Sequence, residues 1–342
     1  MKVFHTPSQR LHHPRYEIFT NTEKVLAYES PARIKSILGS LEKMEWAELQ
    51  VCQDFGLPPI QAIHSTAYLN FLQTAYLNWK VFSPVKGMAF IPYTYTVDPQ
   101  TALHGTLPEQ DGFFMTDASI AISPSTFTAA LDSTNCALSA ARAVLQGDRV
   151  AVALCRPPGH HAGREICGGY CFLNNSAVAA HWLAQHGKVA ILDIDYHAGN
   201  GTQAIFYDRD DVLTVSLHAD PQRAYPRFAG HAHETGTGPG TGFHRNFPLP
   251  AGTDDAYYLL TLGRAINLVA KYDPSWLIVS MGLDIYREDP LSDFSITREG
   301  IRQIGLAIAR VGLPTALLLE GGYHTATLGD NVAGLLSAFV AE

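Results

Sequence analysis

The chain has 342 residues, of which 46% are hydrophobic and 16% charged, a composition that fits a globular protein with a large core. Its net charge of −8 argues against a nucleic-acid binder working through a basic surface and suits a cationic ligand. No apolar stretch approaches the roughly 20 residues of a membrane helix, and the N-terminal MKVFHTPSQRLHH has no apolar signal-peptide core, so a cytoplasmic protein without membrane contact is expected.

Along the chain, the first distinctive segment is 84–118, which carries prolines, glycines and aromatics with little periodicity. A loop this long in a compact domain is usually functional. We read it as an insertion in a single domain spanning 1–342, lying over a site or at a subunit contact. Next comes Val150–Leu154, a continuous apolar run leading into RPPGHHAG at 156–163. Cys167 and Cys171 follow. With Cys52, Cys136 and Cys155 they form an odd, scattered set that suits reduced thiols better than a disulfide framework. A helix is predicted over Asn175–Gln185, then a second apolar run at Val189–Leu192 that opens into DIDYHAGNGT. The third run, Val212–Leu217, ends in HADP. Gly236, Gly238, Gly240 and Gly242 neither follow an apolar run nor open a helix, so they predict a turn loop and not a nucleotide-binding fingerprint. A further helix is predicted over Asp255–Tyr272. The fourth and fifth runs, Trp276–Ser280 and Pro314–Leu319, lead into GLDIYREDP and EGGYH.

Continuous apolar runs predict parallel strands buried on both faces, and their alternation with helices predicts a doubly wound α/β sheet. Ligands of such sheets bind beyond the carboxyl ends of the strands. The chemically able residues collect there, after all five runs.

Asp193, Asp195 and His197 stand at i, i+2 and i+4 just past the second run. On an extended strand end this spacing points all three to one side. Two carboxylates and an imidazole are costly to bury without a cation. Asp195 and His197 are candidate metal ligands, with Asp284 as the third; a catalytic zinc takes three protein ligands and keeps one position open. An oxygen-rich set of this kind also admits Fe2+ or Co2+. His160 and His161, presented by a Pro-Pro-Gly turn, are candidate acid and base, with Asp193 and Asn200 available to fix their tautomers. Their division of labour stays open, because adjacent imidazoles titrate as a pair. Tyr323 follows two glycines that permit a tight turn, which makes it a candidate donor to a carbonyl oxygen.

In this order, RPPGHHAG, GGYCFLNNSAVAA, LDIDYHAGNGTQAIFY, SLHADP, GLDIYREDP and EGGY, with IHSTAYLNFL upstream, resemble the histone deacetylases and acetylpolyamine amidohydrolases. The resemblance covers nearly the whole chain. It implies an arginase/deacetylase-like open α/β fold, with a mainly parallel eight-stranded sheet flanked by helices. It implies Zn2+ on Asp195, His197 and Asp284, His161 as general base and then acid, and His160, backed by Asp193, polarising the attacking water. Tyr323 would bind the carbonyl oxygen, and Gly169 and Tyr170 would line an acyl-chain tunnel. A structural K+ or Na+ would sit among Asp193, Asp195, His197, Ser216 and Leu217. Ala198 stands where many members have a second histidine. Asn200 stands where the class I histone enzymes have an aspartate, which should leave His161 less basic.

GGYCFLNN, the Tyr225-Pro226 segment and the chain length look most like bacterial acetylpolyamine amidohydrolases. That implies a small cationic acetylated amine as substrate and a homodimer formed through the 84–118 loop. Glu109, Asp111 and Asp117 are candidates to meet a distal ammonium, with Tyr225 among the substrate contacts, while Ser119 stands where an acid is expected. Three competing readings are an acetyl-lysine peptide deacetylase with a wider mouth, a ureohydrolase, and a catalytically inactive module that holds acetylated ligands. The ureohydrolase would need a two-manganese shell richer in Asp and His, and the module would lack a catalytic position.

Overall fold

A computed structural model describes residues 1–19, 23–82, 89–91 and 112–341. Its strands are β1 (Lys2–His5), β2 (Tyr16–Phe19), β3 (Glu23–Leu26), β4 (Glu48–Val51), β5 (Val150–Ala153), β6 (Val189–Asp193), β7 (Val212–Ala219), β8 (His244–Leu249), β9 (Trp276–Met281) and β10 (Thr315–Leu319). β2 and β3 form an antiparallel hairpin. The other eight make one sheet in the order β4-β1-β5-β10-β9-β6-β7-β8. All of its neighbouring pairs are parallel.

The five apolar runs became β5, β6, β7, β9 and β10, and the reason they read as continuous is visible in β10. Leu317 and Leu319 enter one core while Ala316 and Leu318 enter the other. The first core lies under α1 (Pro31–Leu41), α7 (Asp255–Tyr272), α8 (Arg298–Ala309) and α9 (Leu328–Ala341). The second lies under α2 (Pro58–Gln61), α3 (Thr66–Phe82), α4 (Thr126–Leu145), α5 (Asn175–Ala184) and α6 (Asn200–Phe206). Each leucine fully buried this way stabilises the fold by roughly 1.5–3 kcal/mol. The two helices predicted from sequence are α5 and α7. Each starts on a capping side chain: Asn174 accepts the N–H of Ala177 at 2.8 Å, and Asp254 that of Tyr257 at 2.9 Å. Gly238–Gly240 form one turn of 3-10 helix within the loop before β8, where a turn loop was expected.

The strands β5, β10, β9, β6 and β7 are adjacent in the sheet, so their carboxyl ends share one rim. Within 84–118, Phe90 bridges to Ile122 and Met115 to Cys167; Glu109 and Asp111 lie outside the described residues. Among the described residues no helix is long and apolar enough to cross a membrane.

Candidate active site

β6 ends at Asp193, and Asp195 and His197 lie in the bend beyond it, so the three residues do not share a strand face as their spacing suggested. Backbone hydrogen bonds draw them together instead. Asp193 Oδ1 accepts the N–H of Asp195 at 3.0 Å, and Asp195 Oδ1 accepts that of His197 at 2.9 Å. Asp284 arrives from the end of β9. Its Oδ2 lies 3.0 Å from His197 Nδ1, and its Oδ1 accepts the N–H of Tyr196 at 3.0 Å. Ligand atoms of Asp195, His197 and Asp284 all fall within 4.8 Å of one another. Among the described residues, no Lys or Arg forms an ion pair with either carboxylate.

This crowding is electrostatically expensive. Burial, with Asp195 alongside, pushes the Asp284 carboxyl up to about 7. Burial disfavours the charged ring of His197, yet Asp195 and Asp284 outweigh it and raise that imidazole to about 9. One imidazole nitrogen and the oxygens of two aspartates, buried and with no Lys or Arg ion-paired to them among the described residues, fit a divalent metal. The glycines before Tyr323 divide two tasks. Gly322 takes a φ of +120°, and a Cβ on Gly321 would fall 2.5 Å from Asp284 Oδ2 and 2.6 Å from Asp195 Oδ2.

The loop after β5 presents the two imidazoles with their rings 4.0 Å apart. His160 Nδ1 sits 3.0 Å from Asp193 Oδ2, and His161 Nδ1 sits 2.7 Å from Asn200 Oδ1. Glu320 Oε2 accepts the N–H groups of Gly159 at 2.6 Å and His160 at 3.1 Å, which anchors the loop from β10. Burial disfavours a charged His160, but the carboxylates of Asp195 and Asp193 outweigh burial and raise its pKa well above the ordinary value. Burial and the charge of His160 push His161 well below it. Because an amide oxygen only accepts, the His161 proton belongs on Nδ1, leaving Nε2 as a bare acceptor.

A cavity of about 650 Å3 runs past His161, His197 and Tyr323, and is also lined by Asp117, Gly169, Tyr170 and Tyr225. Gly169 has a φ of +51°, and a Cβ there would fall 2.3 Å from His161 Cδ2. Tyr170 follows at a φ of +66° and donates its hydroxyl to Glu17 Oε1 at 3.0 Å. Asp117 is at the mouth with its oxygens already engaged. Oδ2 accepts the N–H of Gly169 at 2.9 Å and the Tyr225 hydroxyl at 2.8 Å, while Oδ1 accepts the N–H of Ser119 at 3.0 Å. Burial raises the Tyr323 phenol well above its ordinary pKa, which keeps it a neutral donor. Asp193 and Ser216 are register partners on β6 and β7, and the Ser216 hydroxyl lies 2.7 Å from His218 Nδ1. Leu217 is buried beside them.

Some supporting residues escaped the sequence reading. Buried Glu29 binds Arg33 at 3.1 Å and Arg156 at 2.8 Å, and the Arg33 guanidinium lies 4.9 Å from the Tyr323 ring centre. Arg156 and Glu320 open two of the quoted motifs, so their position at strand ends was an available signal. Glu17, Glu29 and Arg33 come from unremarkable N-terminal segments with no such signal.

The profile of the histone deacetylase domain matches residues 27–339. Acetylpolyamine amidohydrolase 2 of Pseudomonas aeruginosa is 39% identical over 345 residues, with 99% of this chain and 98% of that protein covered. The acetylpolyamine amidohydrolase of Mycoplana ramosa is 38% identical over 338 residues, covering 98% of each. The crystal structure of acetylpolyamine aminohydrolase from Burkholderia pseudomallei superposes with a TM-score of 0.96 at 37% identity, covering 100% of this chain and 99% of that one.

Proposed function

Because the chain belongs to the histone deacetylase family, we propose that it is a deacetylase of small N-acetylated polyamines and diamines, releasing the free amine and acetate. It is an amide-cleaving, metal-dependent hydrolase. The observation that carries the substrate class is the likeness to acetylpolyamine amidohydrolases over essentially the full length of both chains. We read residues 1–342 as one catalytic domain.

Asp195, His197 and Asp284 would hold the metal, for which Zn2+ is our choice over Fe2+ or Co2+. When bound, the ion supplies Lewis acidity toward the acetamide oxygen and the attacking water. The chain's own residues handle the protons and the developing charge. His161, with its Nδ1 proton held by Asn200, offers Nε2 as the base and then returns a proton to the leaving nitrogen. His160, held by Asp193, helps position and polarise the attacking water. Tyr323 donates its phenolic hydrogen to the carbonyl oxygen as it becomes an oxyanion. Gly169 and Tyr170 would flank the aliphatic chain, with Asp117 and Tyr225 toward the distal ammonium; Glu109, outside the described residues, is a further candidate to meet it. A K+ or Na+ among Asp193, Asp195, His197, Ser216 and Leu217, a homodimer built through 84–118, and a cytoplasmic location complete the reading.

Acetate release from N-acetylputrescine tests it. The wild type should turn the amide over, and Tyr323→Phe should lower kcat by about 10²–10³ with KM nearly unchanged, the loss expected for one oxyanion donor. A Tyr323→Phe protein as fast as the wild type would contradict the assignment.

A further inference from the structure

The turn carrying Tyr323 is gripped from two sides, and one of the gripping residues has no part in the chemistry above. Asp289 lies five residues past Asp284, buried in the loop after β9. Its Oδ2 accepts the N–H groups of Tyr323 at 2.6 Å and His324 at 3.1 Å, and its Oδ1 accepts that of Leu291 at 3.1 Å. On the other side, Arg33 Nε donates to the Gly322 carbonyl at 2.6 Å, and Arg33 Nη2 donates to the Glu320 carbonyl. The peptide joining Gly322 to Tyr323 therefore has its carbonyl on a guanidinium and its N–H on a carboxylate.

Charge-assisted hydrogen bonds of this kind are roughly twice as strong as neutral ones, and here they act on the two ends of one peptide. Turning that peptide over would aim its carbonyl oxygen at the Asp289 carboxylate. The selection matters because Gly322, at a φ of +120°, has no side chain to restrict the hinge. The neighbouring groups are fixed as well: Gly321 donates its N–H to Asp195 Oδ2 at 2.8 Å and accepts the N–H of Leu283 at 3.0 Å. What remains to be set is the Gly322–Tyr323 peptide, and its N–H side rests on Asp289.

We propose that Asp289 is a positioning residue, holding this peptide so that the Tyr323 phenol stands where the carbonyl oxygen becomes an oxyanion; this rests on the deacetylase reading. Oxyanion donors work by being in place before charge develops, and misplacement by about 1 Å costs on the order of a hundredfold.

A double-mutant cycle on N-acetylcadaverine turnover, with Tyr323→Phe as the second change, separates positioning from general support of the fold. Asp289→Ala should lower kcat about tenfold or more with KM within about twofold. In the Tyr323→Phe background the same change should have an effect of no more than about twofold. Asp289→Asn, which keeps one acceptor oxygen, should recover part of the loss. Hydrogen exchange read by mass spectrometry should show the Tyr323 and His324 amides exchanging faster in Asp289→Ala. Equal losses in both backgrounds, an unchanged kcat in Asp289→Ala, or amides that stay equally protected would each overturn the proposal. A wild type unable to cleave any acetylated amine would count against the deacetylase reading instead, and amide exchange would still decide whether Asp289 holds the turn.

Discussion

At the residue scale, two adjacent imidazoles are driven in opposite directions by their surroundings. The carboxylates of Asp195 and Asp193 raise His160, while burial and the charge of His160 lower His161, whose Nδ1 meets the amide of Asn200. Asn200→Asp would place a negative charge on His161 Nδ1 and favour its protonated form. A base must be deprotonated to act, so the acid limb of kcat/KM against pH should move up by about one unit. An unmoved limb would remove Asn200 as the tuning partner. Glu17 offers a test of stability. Burial pushes its carboxyl from the ordinary 4.5 up to about 7, and among the described residues Oε2 has no hydrogen-bond partner. An acid with a raised folded pKa weakens the fold as it ionises: the penalty is absent below about 4.5, grows across the interval, and is complete above about 7. Glu17→Gln, which still accepts from Tyr170, should be more stable than the wild type at pH 8 by about 1–3 kcal/mol. The advantage should vanish near pH 4, as read by denaturant unfolding at the two pH values.

At the element scale, the site is a property of five strand ends brought side by side. The turn after β10 must pass very close to the carboxylates of Asp195 and Asp284, and Gly321 makes that approach possible. Gly321→Ala should leave the sheet folded but displace Asp195 and Asp284, so metal content should fall below half of the wild-type value, measured by elemental analysis. Full occupancy would mean that the carboxylates yield without loss. The five central strands were legible because both faces are buried, which writes an unbroken apolar run. The remaining three strands of the sheet were not picked out by their residues. β1 and β4 have four residues each, β4 sits at the sheet edge with exposed ends, and β8 is interrupted by polar residues and Pro248 at the opposite edge. Asp193, Asp195 and His197 were readable from their spacing, although a bend and not a strand face unites them, and Asp284 joins them from the end of β9. Arg33 and Glu17 were illegible because their roles arise from long-range contacts, to Gly322 and Tyr170, that no local pattern encodes.

At the scale of the whole molecule, a net charge of −8 attracts cations over distances longer than any single contact, which suits a substrate with a distal ammonium. The two acids at the described mouth are held by protein donors. Asp117 carries the N–H of Gly169 and the Tyr225 hydroxyl, while Asp293 accepts the Tyr196 hydroxyl at 2.9 Å and pairs with Arg223. An acid already paired with an arginine attracts a second cation less, which leaves Asp117 as the better candidate of the two to meet a distal ammonium. Under the proposed function this catalytic machinery serves free acetylated diamines rather than acetylated proteins. The measurement that tests it most directly is kcat/KM of the zinc-loaded protein on N-acetylcadaverine and on an acetyl-lysine peptide, which share the same reacting acetamide. The diamine should be preferred by at least about tenfold, or 1.4 kcal/mol in transition-state binding. A peptide that is cleaved as well or better would contradict it.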